Sequence, residues 1–149
     1  MTTTAANAVF LDANVLVYAS FDHVPWHDTA KDRLFRLGQA QVTFWTSRQV
    51  LREFLSATSR PGFLVPTPPA SFLRPLVEDF ESRFRIAEDD REVTALLLEL
   101  TENPGACGRQ VHDANIVATM RRHGIATLLT HNTADFERYR PWITVLPLA

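Results

Sequence analysis

The chain has 149 residues, of which 46% are hydrophobic and 21% charged, as is typical of one globular domain. A formal net charge of −2 argues against a protein that binds polyanions through bulk positive charge. The single cysteine excludes an internal disulfide and a cysteine-based zinc site. With no secretory signal and no apolar run of the ~20 residues that span a bilayer, we expect a cytoplasmic protein without membrane contact.

Strand-like and helix-like segments alternate along the chain. We expect residues 1–149 to form a single domain, with residues 1–7 a disordered lead-in. In chain order, the predicted elements are strand 8–11, helix 14–19, helix 26–40, strand 42–46, helix 48–59, helix 70–82, strand 84–87, helix 89–102, helix 110–123, strand 126–130 and strand 143–146. Gly38 stands where the second helix should stop, and Ser47 is expected to cap the third. The alternation predicts βαβ units and an α/β fold around a mostly parallel sheet.

Two aspartates follow predicted strands. Parallel sheets bind ligands beyond the carboxyl ends of their strands, near the point where the strand order reverses. Asp12 comes directly after the first strand, and Asp135 lies just after the strand that ends at Thr130. Each is equally compatible with a plain cap of a helical turn, so neither position alone predicts a functional site.

Two further acids lie on or beside apolar helix faces. At about 100° per residue, Asp113 projects inside the apolar arc of helix 110–123, whereas Asn115 and Thr119 lie on the opposite, polar side. Such a carboxylate must be paired, protonated or bound to a cation, because an isolated buried charge is unstable. Glu53 borders the apolar stripe of its own helix, and taken alone this position favours a solvated surface acid.

Together the four acids favour a hard divalent cation. Oxygen ligands without cysteine, and without a histidine pair at metal spacing, select Mg²⁺ or Mn²⁺. His23 and His27 have the spacing of a zinc pair, but Pro25 lies between them and we attribute that spacing to chance. One or two hard cations can activate water and stabilise the leaving oxygen in phosphodiester hydrolysis.

Four segments carry these acids: FLDANVLVY at 10–18, QVLREF at 49–54, HDANIVA at 112–118 and LLTHNTADF at 128–136. In sequence and order they resemble the four motifs of the PIN-domain family, and most closely its branch of VapC-type toxins from bacterial and archaeal toxin–antitoxin pairs. The resemblance covers nearly the whole chain. It implies a PIN-like three-layer sandwich with a mostly parallel sheet of four to five strands flanked by helices.

The resemblance also implies an activity, that of a Mg²⁺- or Mn²⁺-dependent endoribonuclease that hydrolyses RNA phosphodiester bonds. The catalytic quartet that it implies consists of Asp12, Glu53, Asp113 and Asp135. Asp12 and Asp113 would be the firmest metal ligands, and Asp135 a further one that would bind through water, position the nucleophile or hold a second ion. Glu53 would bind through water, position the nucleophile or hold a second ion. The supporting residues that it implies are Asn14, Thr130 and Asn132.

The resemblance further implies a homodimer and an antitoxin partner that covers the acidic site. For Trp26, Phe63 and Leu64 we expect a core role in preference to a partner surface. Arg121, Arg122, Arg138 and Arg140 are either RNA contacts or solvated charges. Many relatives carry a further acid after the third motif, where this chain has Asn115 and Thr119, which leaves the number of metal ions open.

Three alternatives to a toxin remain. A housekeeping PIN nuclease of RNA maturation would have the same fold, although a chain of this size without an appended RNA-binding module favours the toxin. An inactive PIN scaffold that binds RNA or a partner is disfavoured by the presence of all four acids. A phosphoaspartate hydrolase would require a second acid two places after Asp12, where this chain has Asn14.

Overall fold

The structure, a computed structural model, describes residues 7–149, so the expected lead-in at 1–7 lies outside the described residues except for Asn7. Strands and helices alternate along this part of the chain. Its elements are β1 Ala8–Leu11, α1 Ala13–Ser20, α2 His27–Gln39, β2 Thr43–Thr46, α3 Arg48–Ser59, α4 Ala70–Arg83, β3 Arg85–Ile86, α5 Arg91–Glu102, α6 Gln110–Arg122, β4 Thr127–Thr130, the 3₁₀ helix Thr133–Tyr139 and β5 Thr144–Pro147.

The five strands form one parallel sheet in the order β3-β2-β1-β4-β5. Phe10 in the central strand pairs with Trp45 of β2 on one side and with Leu128 of β4 on the other. The chain runs outward from β1 to β3 and then returns to β4, so the strand order reverses between β1 and β4. This confirms the predicted α/β fold and places the reversal point, where parallel sheets bind ligands, at the ends of these two strands.

Helices cover the sheet on both faces. Right-handed crossovers place the helices that connect β1 to β3 on one face and those that connect β3 to β5 on the other, because the chain reverses direction between them. In agreement, α1 packs on α2 and α3, and α3 packs on α4, whereas α5 and the 3₁₀ helix pack on α6. All four residues of β1 are buried, as expected of a central strand enclosed on both faces.

Two helix ends show where local sequence rules hold and where they fail. The Ser47 hydroxyl accepts a hydrogen bond from the Val50 N–H at 3.3 Å, so the predicted cap of α3 is confirmed. The predicted stop at Gly38 is wrong, because α2 continues to Gln39. Gln41, with φ 62°, takes the left-handed conformation that glycine was expected to supply, and its N–H bonds the Gly38 carbonyl.

Burial differs from expectation at several positions. Thr119, predicted on the polar side of its helix, is buried. Asn115 and His123, one turn before and after it, contact residues of α3, β2 and the segment between β3 and α5, so this side of α6 is covered. Leu64 is buried as expected, but Trp26 and Phe63 are each 43% exposed, so their predicted core role is wrong.

Within residues 7–149, no helix combines the length and the apolar character needed to cross a membrane.

Candidate functional site

Asp12 lies where β1 ends and α1 begins, directly at the reversal point of the sheet. Its N–H extends the strand ladder by bonding the Leu129 carbonyl at 3.2 Å. Oδ1 accepts a hydrogen bond from the Ala13 N–H at 2.8 Å, which makes Asp12 the N-cap of α1. Oδ2 accepts from the Thr130 hydroxyl at 2.8 Å and from the Asn14 amide at 3.3 Å. The carboxylate is therefore held in one orientation by three donors, which is more than a plain cap requires.

Thr130, the last residue of β4, is the centre of this network. Its side chain is fully buried, and its Oγ1 accepts hydrogen bonds from the Asn14 amide at 3.2 Å and the Asn132 N–H at 3.1 Å while donating to Asp12. The Asn14 side-chain oxygen in turn accepts from the His131 N–H at 3.0 Å. The network joins the ends of β1 and β4. Asn132 enters it through its backbone, and its own side chain makes no capping bond to the 3₁₀ helix.

Glu53 is held by a residue that sequence analysis missed. Gln49 lies one turn earlier on α3, is only 8% exposed, and donates from Nε2 to Glu53 Oε2 at 3.0 Å and to the His112 carbonyl at 2.8 Å. Its Oε1 accepts from the Asn115 amide at 2.8 Å. The i, i+4 spacing of Gln49 and Glu53 was visible in the sequence. The contacts with α6 that fix the glutamine required the tertiary structure.

The four predicted acids come together as lining residues of one cleft of about 560 Å³, which we call the acidic cleft. Asp113 lies in the first turn of α6, and Asp135 in the first turn of the 3₁₀ helix. The side chains that line the cleft are contributed by Asp12, Ala13, Asn14, Val17, Tyr18, Glu53, Ala57, Arg60, Phe63, Arg109, Asp113, Asn132, Asp135 and Phe136. Asp12 is buried, Glu53 and Asp113 are half-buried, and Asp135 is exposed.

The acids influence one another's ionisation. Burial, followed by the negative charges of Asp12, Asp135 and Glu53, raises the pKa of Asp113 to about 7. Burial also raises the pKa of Asp12, although the hydrogen bonds from Thr130, Ala13 and Asn14 oppose this shift. The pKa of Glu53 is raised by burial and by the charge of Asp12, against the hydrogen bond from Gln49. The pKa values of Asp12, Glu53 and Asp113 are thus raised, with the charge of Asp135 contributing at Asp12 and Asp113, so the acids of the cleft act as one electrostatic unit.

Among the described residues, no arginine, lysine or histidine directly neutralises the four acids of the cleft. Within residues 7–149, none of the four acids makes an ion pair within 4.0 Å. Of the arginines considered as RNA contacts, Arg122 pairs with Asp90 at 3.0 Å and Arg140 with Glu137 at 2.7 Å. Arg60 and Arg109 instead line the cleft, and neither was singled out from the sequence because nothing local distinguishes them.

The donor chemistry of the cleft fits a hard cation. Its lining includes four carboxylates and two side-chain amides, whose oxygens Mg²⁺ and Mn²⁺ prefer, together with the two arginines, and it contains no cysteine or histidine. The arrangement is open: in the described part of the chain, no three Asp, Glu, His or Cys side chains are placed to hold one metal ion. Clustered like charges favour such a spread arrangement, and a cation would draw them together.

Comparison with known proteins agrees with the fold and with the motifs. The family model described as PIN domain matches residues 9–140. Ribonuclease VapC48 of Mycobacterium tuberculosis H37Rv is 28% identical over 131 residues, which cover 86% of this chain and 89% of that protein.

Solved structures show the same architecture. VapBC2 of Rickettsia felis, bound to a DNA fragment from its promoter, matches with a TM-score of 0.69 and 23% identity over 94% of this chain and 98% of that one. VapC20 of Mycobacterium tuberculosis, described as a toxin that cleaves the sarcin–ricin loop, matches with a TM-score of 0.60 and 19% identity over 80% and 86% of the two chains. These matches confirm the predicted PIN-like fold. Because the family model spans most of the sequence, the chain belongs to the PIN-domain family.

Proposed function

We propose that the protein is an endoribonuclease that hydrolyses RNA phosphodiester bonds and acts as the toxin of a toxin–antitoxin pair. The observation that carries this proposal is the acidic cleft, where four carboxylates converge at the reversal point of the sheet without an ion-pair partner among residues 7–149. Two relatives support it: VapC48 is named a ribonuclease, and VapC20 is described as a toxin that cleaves the sarcin–ricin loop. RNA as substrate and an antitoxin as partner are consistent with a cytoplasmic location.

The cleft would hold Mg²⁺ or Mn²⁺. Asp12, Asp113 and Asp135 are the residues that would bind the ion, which when bound supplies a Lewis acid and an activated water. Because the pKa of Asp113 is raised to about 7, protons compete with the ion at this side chain near neutral pH. The hydrogen bonds of Asp12 to Ala13, Asn14 and Thr130 orient its carboxylate before any ion binds, which reduces the ordering that binding requires.

Glu53 has the properties of a proton acceptor. Its pKa is raised by burial, which moves it towards the pH at which a general base works best. Gln49 holds Oε2, and in the described part of the chain Oε1 has no hydrogen-bond partner, so this oxygen is available to accept a proton from an attacking water. Arg60 and Arg109, which line the cleft, would contact the phosphates of the substrate.

The partners of the protein belong to the same proposal. Matched structures include a toxin–antitoxin complex from Klebsiella pneumoniae, with a TM-score of 0.65, and a member of the VapBC family of toxin–antitoxin systems from Mycobacterium tuberculosis, with a TM-score of 0.56. We propose a cognate antitoxin that covers the acidic cleft, and a homodimer of this chain. Phe63 supports the first of these proposals, because it lies in the lining of the cleft with 43% of its surface exposed.

The direct test is cleavage of RNA by the purified protein, freed of any co-purifying partner. Total RNA and a single-stranded RNA oligonucleotide are incubated with Mg²⁺ or Mn²⁺, with EDTA, and with the Asp12→Asn variant. We expect cleavage with either ion, none in EDTA, and at least a hundredfold loss in the variant. Asp32→Asn, a change of the same kind on the outer face of α2, serves as the matched control. Activity that survives EDTA and Asp12→Asn overturns the proposal, and wild-type protein without activity in Mn²⁺ indicates an inactive scaffold.

A further inference from the structure

Three aromatic side chains form a cluster beside the acidic cleft, which we call the aromatic rim: Tyr18, Trp26 and His131. The ring centroids of Trp26 and His131 are 4.8 Å apart at a tilt of 47°. The Tyr18 ring contacts the His131 ring edge-on, with the two ring centroids 5.4 Å apart. The three residues come from α1, from the turn before α2 and from the turn after β4, so the sheet topology brings them together.

The aromatic rim is tied to the residues of the cleft. Tyr18 is itself a lining residue. His131 lies between Thr130 and Asn132, and its N–H donates to the side-chain oxygen of Asn14 at 3.0 Å. Asn14 in turn donates to Asp12. The backbone of His131 is therefore connected to the Asp12 carboxylate through two hydrogen bonds, and the Trp26 ring packs against the His131 ring.

The backbone conformation of Trp26 is unusual for its residue type. The residue has φ 73°, in the left-handed region, which is rare for a bulky side chain and is adopted without strain by glycine. Its side chain makes no capping hydrogen bond to α2, and 43% of its surface is exposed. A strained backbone that holds a large ring in solvent beside a charged cleft is a pattern found at ligand-binding positions.

Extending the proposed nuclease function, we propose that the aromatic rim is a stacking subsite for an unpaired nucleobase of the RNA substrate, next to the bond that is cut. Proteins recognise single-stranded RNA largely by stacking its bases on aromatic side chains. Such a contact is needed here because the net charge of −2 and the acidic cleft provide little general attraction for a polyanion. A base stacked there would direct the sugar–phosphate backbone of that nucleotide towards the cleft, which Arg60 and Arg109 line.

The test is binding of single-stranded RNA in Ca²⁺, measured by fluorescence anisotropy with labelled oligo(A) and oligo(U) octamers. Trp26→Gly removes the ring while supplying the residue that best tolerates φ 73°, so this variant is expected to fold. Trp26→Phe retains a smaller ring. Phe35→Ala, which removes a 64% exposed ring from the body of α2, is the matched control.

We expect Trp26→Gly to weaken binding of oligo(A) by about 10- to 100-fold, corresponding to the loss of one stacked base. Trp26→Phe should lose less, Phe35→Ala should behave as wild type, and wild type should prefer oligo(A) to oligo(U) because a purine stacks over a larger area. In cleavage with Mn²⁺, Trp26→Gly should raise KM with little change in kcat. Equal binding by wild type and Trp26→Gly, equal losses in Trp26→Gly and Phe35→Ala, or no measurable binding by wild type overturns the proposal.

This experiment separates the aromatic rim from the nuclease function. If wild type cleaves RNA but Trp26→Gly has unchanged binding and KM, the stacking proposal fails and the nuclease stands. If wild type binds RNA through Trp26 but never cleaves it, the nuclease fails and the subsite stands as part of an RNA-binding scaffold.

Discussion

Replacing Thr130 with valine tests whether the network around Asp12 prepares the cleft for a metal ion. The change removes one oxygen and keeps the branched shape of a fully buried side chain. That oxygen donates to Asp12 Oδ2 at 2.8 Å and accepts from the Asn14 amide and the Asn132 N–H. Thr130→Val therefore leaves Asp12 with one donor fewer and leaves two donors without this acceptor.

The expected losses follow from the strength of these bonds. A hydrogen bond to a charged group contributes about 1.5–3 kcal/mol, and a buried donor left without an acceptor costs about 1–3 kcal/mol. Removal of such support from a metal ligand typically lowers metal affinity by about 10- to 100-fold. We expect a loss of Mn²⁺ affinity in that range. We also expect a lower melting temperature in EDTA, by about 2–4 °C for each kcal/mol lost in a chain of this length.

The assay is calorimetric titration of Mn²⁺ at pH 8, together with thermal unfolding in EDTA. Thr58→Val is the matched control, because Thr58 is equally buried but its hydroxyl donates only to the Phe54 carbonyl within α3, at 2.8 Å. The control should bind Mn²⁺ as wild type does. If Thr130→Val and Thr58→Val have the same Mn²⁺ affinity, the network does not prepare Asp12 for metal, and the reasoning is refuted.

Two further predictions concern the other acids. Gln49→Leu releases Glu53 Oε2, so single-turnover RNA cleavage should fall by about tenfold or more. Calorimetry should show a smaller change in Mn²⁺ affinity, and an unchanged cleavage rate would contradict the positioning role of Gln49. The pKa of Asp113 is raised from its usual 3.8 to about 7 in the folded protein. Between these pH values the folded protein therefore binds more protons at this side chain than the unfolded chain does. Without metal, the contribution of Asp113 to the free energy of unfolding is lost as the pH rises from about 4 to about 7. In thermal unfolding in EDTA, the stability of Asp113→Asn relative to wild type should therefore increase across this pH range and stay constant above it. A stability difference that is independent of pH would argue against the raised pKa.

The features that the sequence predicted best are those set by local pattern and by the topology of parallel sheets. A continuous apolar run ending in Asp12 is the pattern of a central strand, and the rule for strand ends then locates the ligand site. The apolar arc of α6 likewise predicted that Asp113 would face inward, and it is half-buried in the cleft. The α/β fold followed from these patterns together, whereas the family followed from the resemblance of the four motifs.

The features that were missed depend on packing between elements distant in sequence. Thr119 was expected on a polar face because one helix alone does not reveal which of its sides other elements cover. Gln49 acquires its role only because α3 lies against α6, where Asn115 and the His112 carbonyl are its partners. Trp26 was expected in the core because large hydrophobic residues are usually buried. Hydrophobicity alone does not reveal that a left-handed backbone conformation holds its ring beside the cleft.

The central claim is that the carboxylates of the acidic cleft jointly bind a divalent ion. Crystals of wild type and of Asp113→Asn soaked in Mn²⁺, with anomalous scattering recorded at the manganese edge, test it most directly. We predict a peak within direct bonding distance of Asp12 and Asp113 in wild type, with the side chains drawn inward, and loss of that peak in the variant. A wild-type crystal with no peak in the cleft, or with manganese bound only elsewhere, would contradict the account.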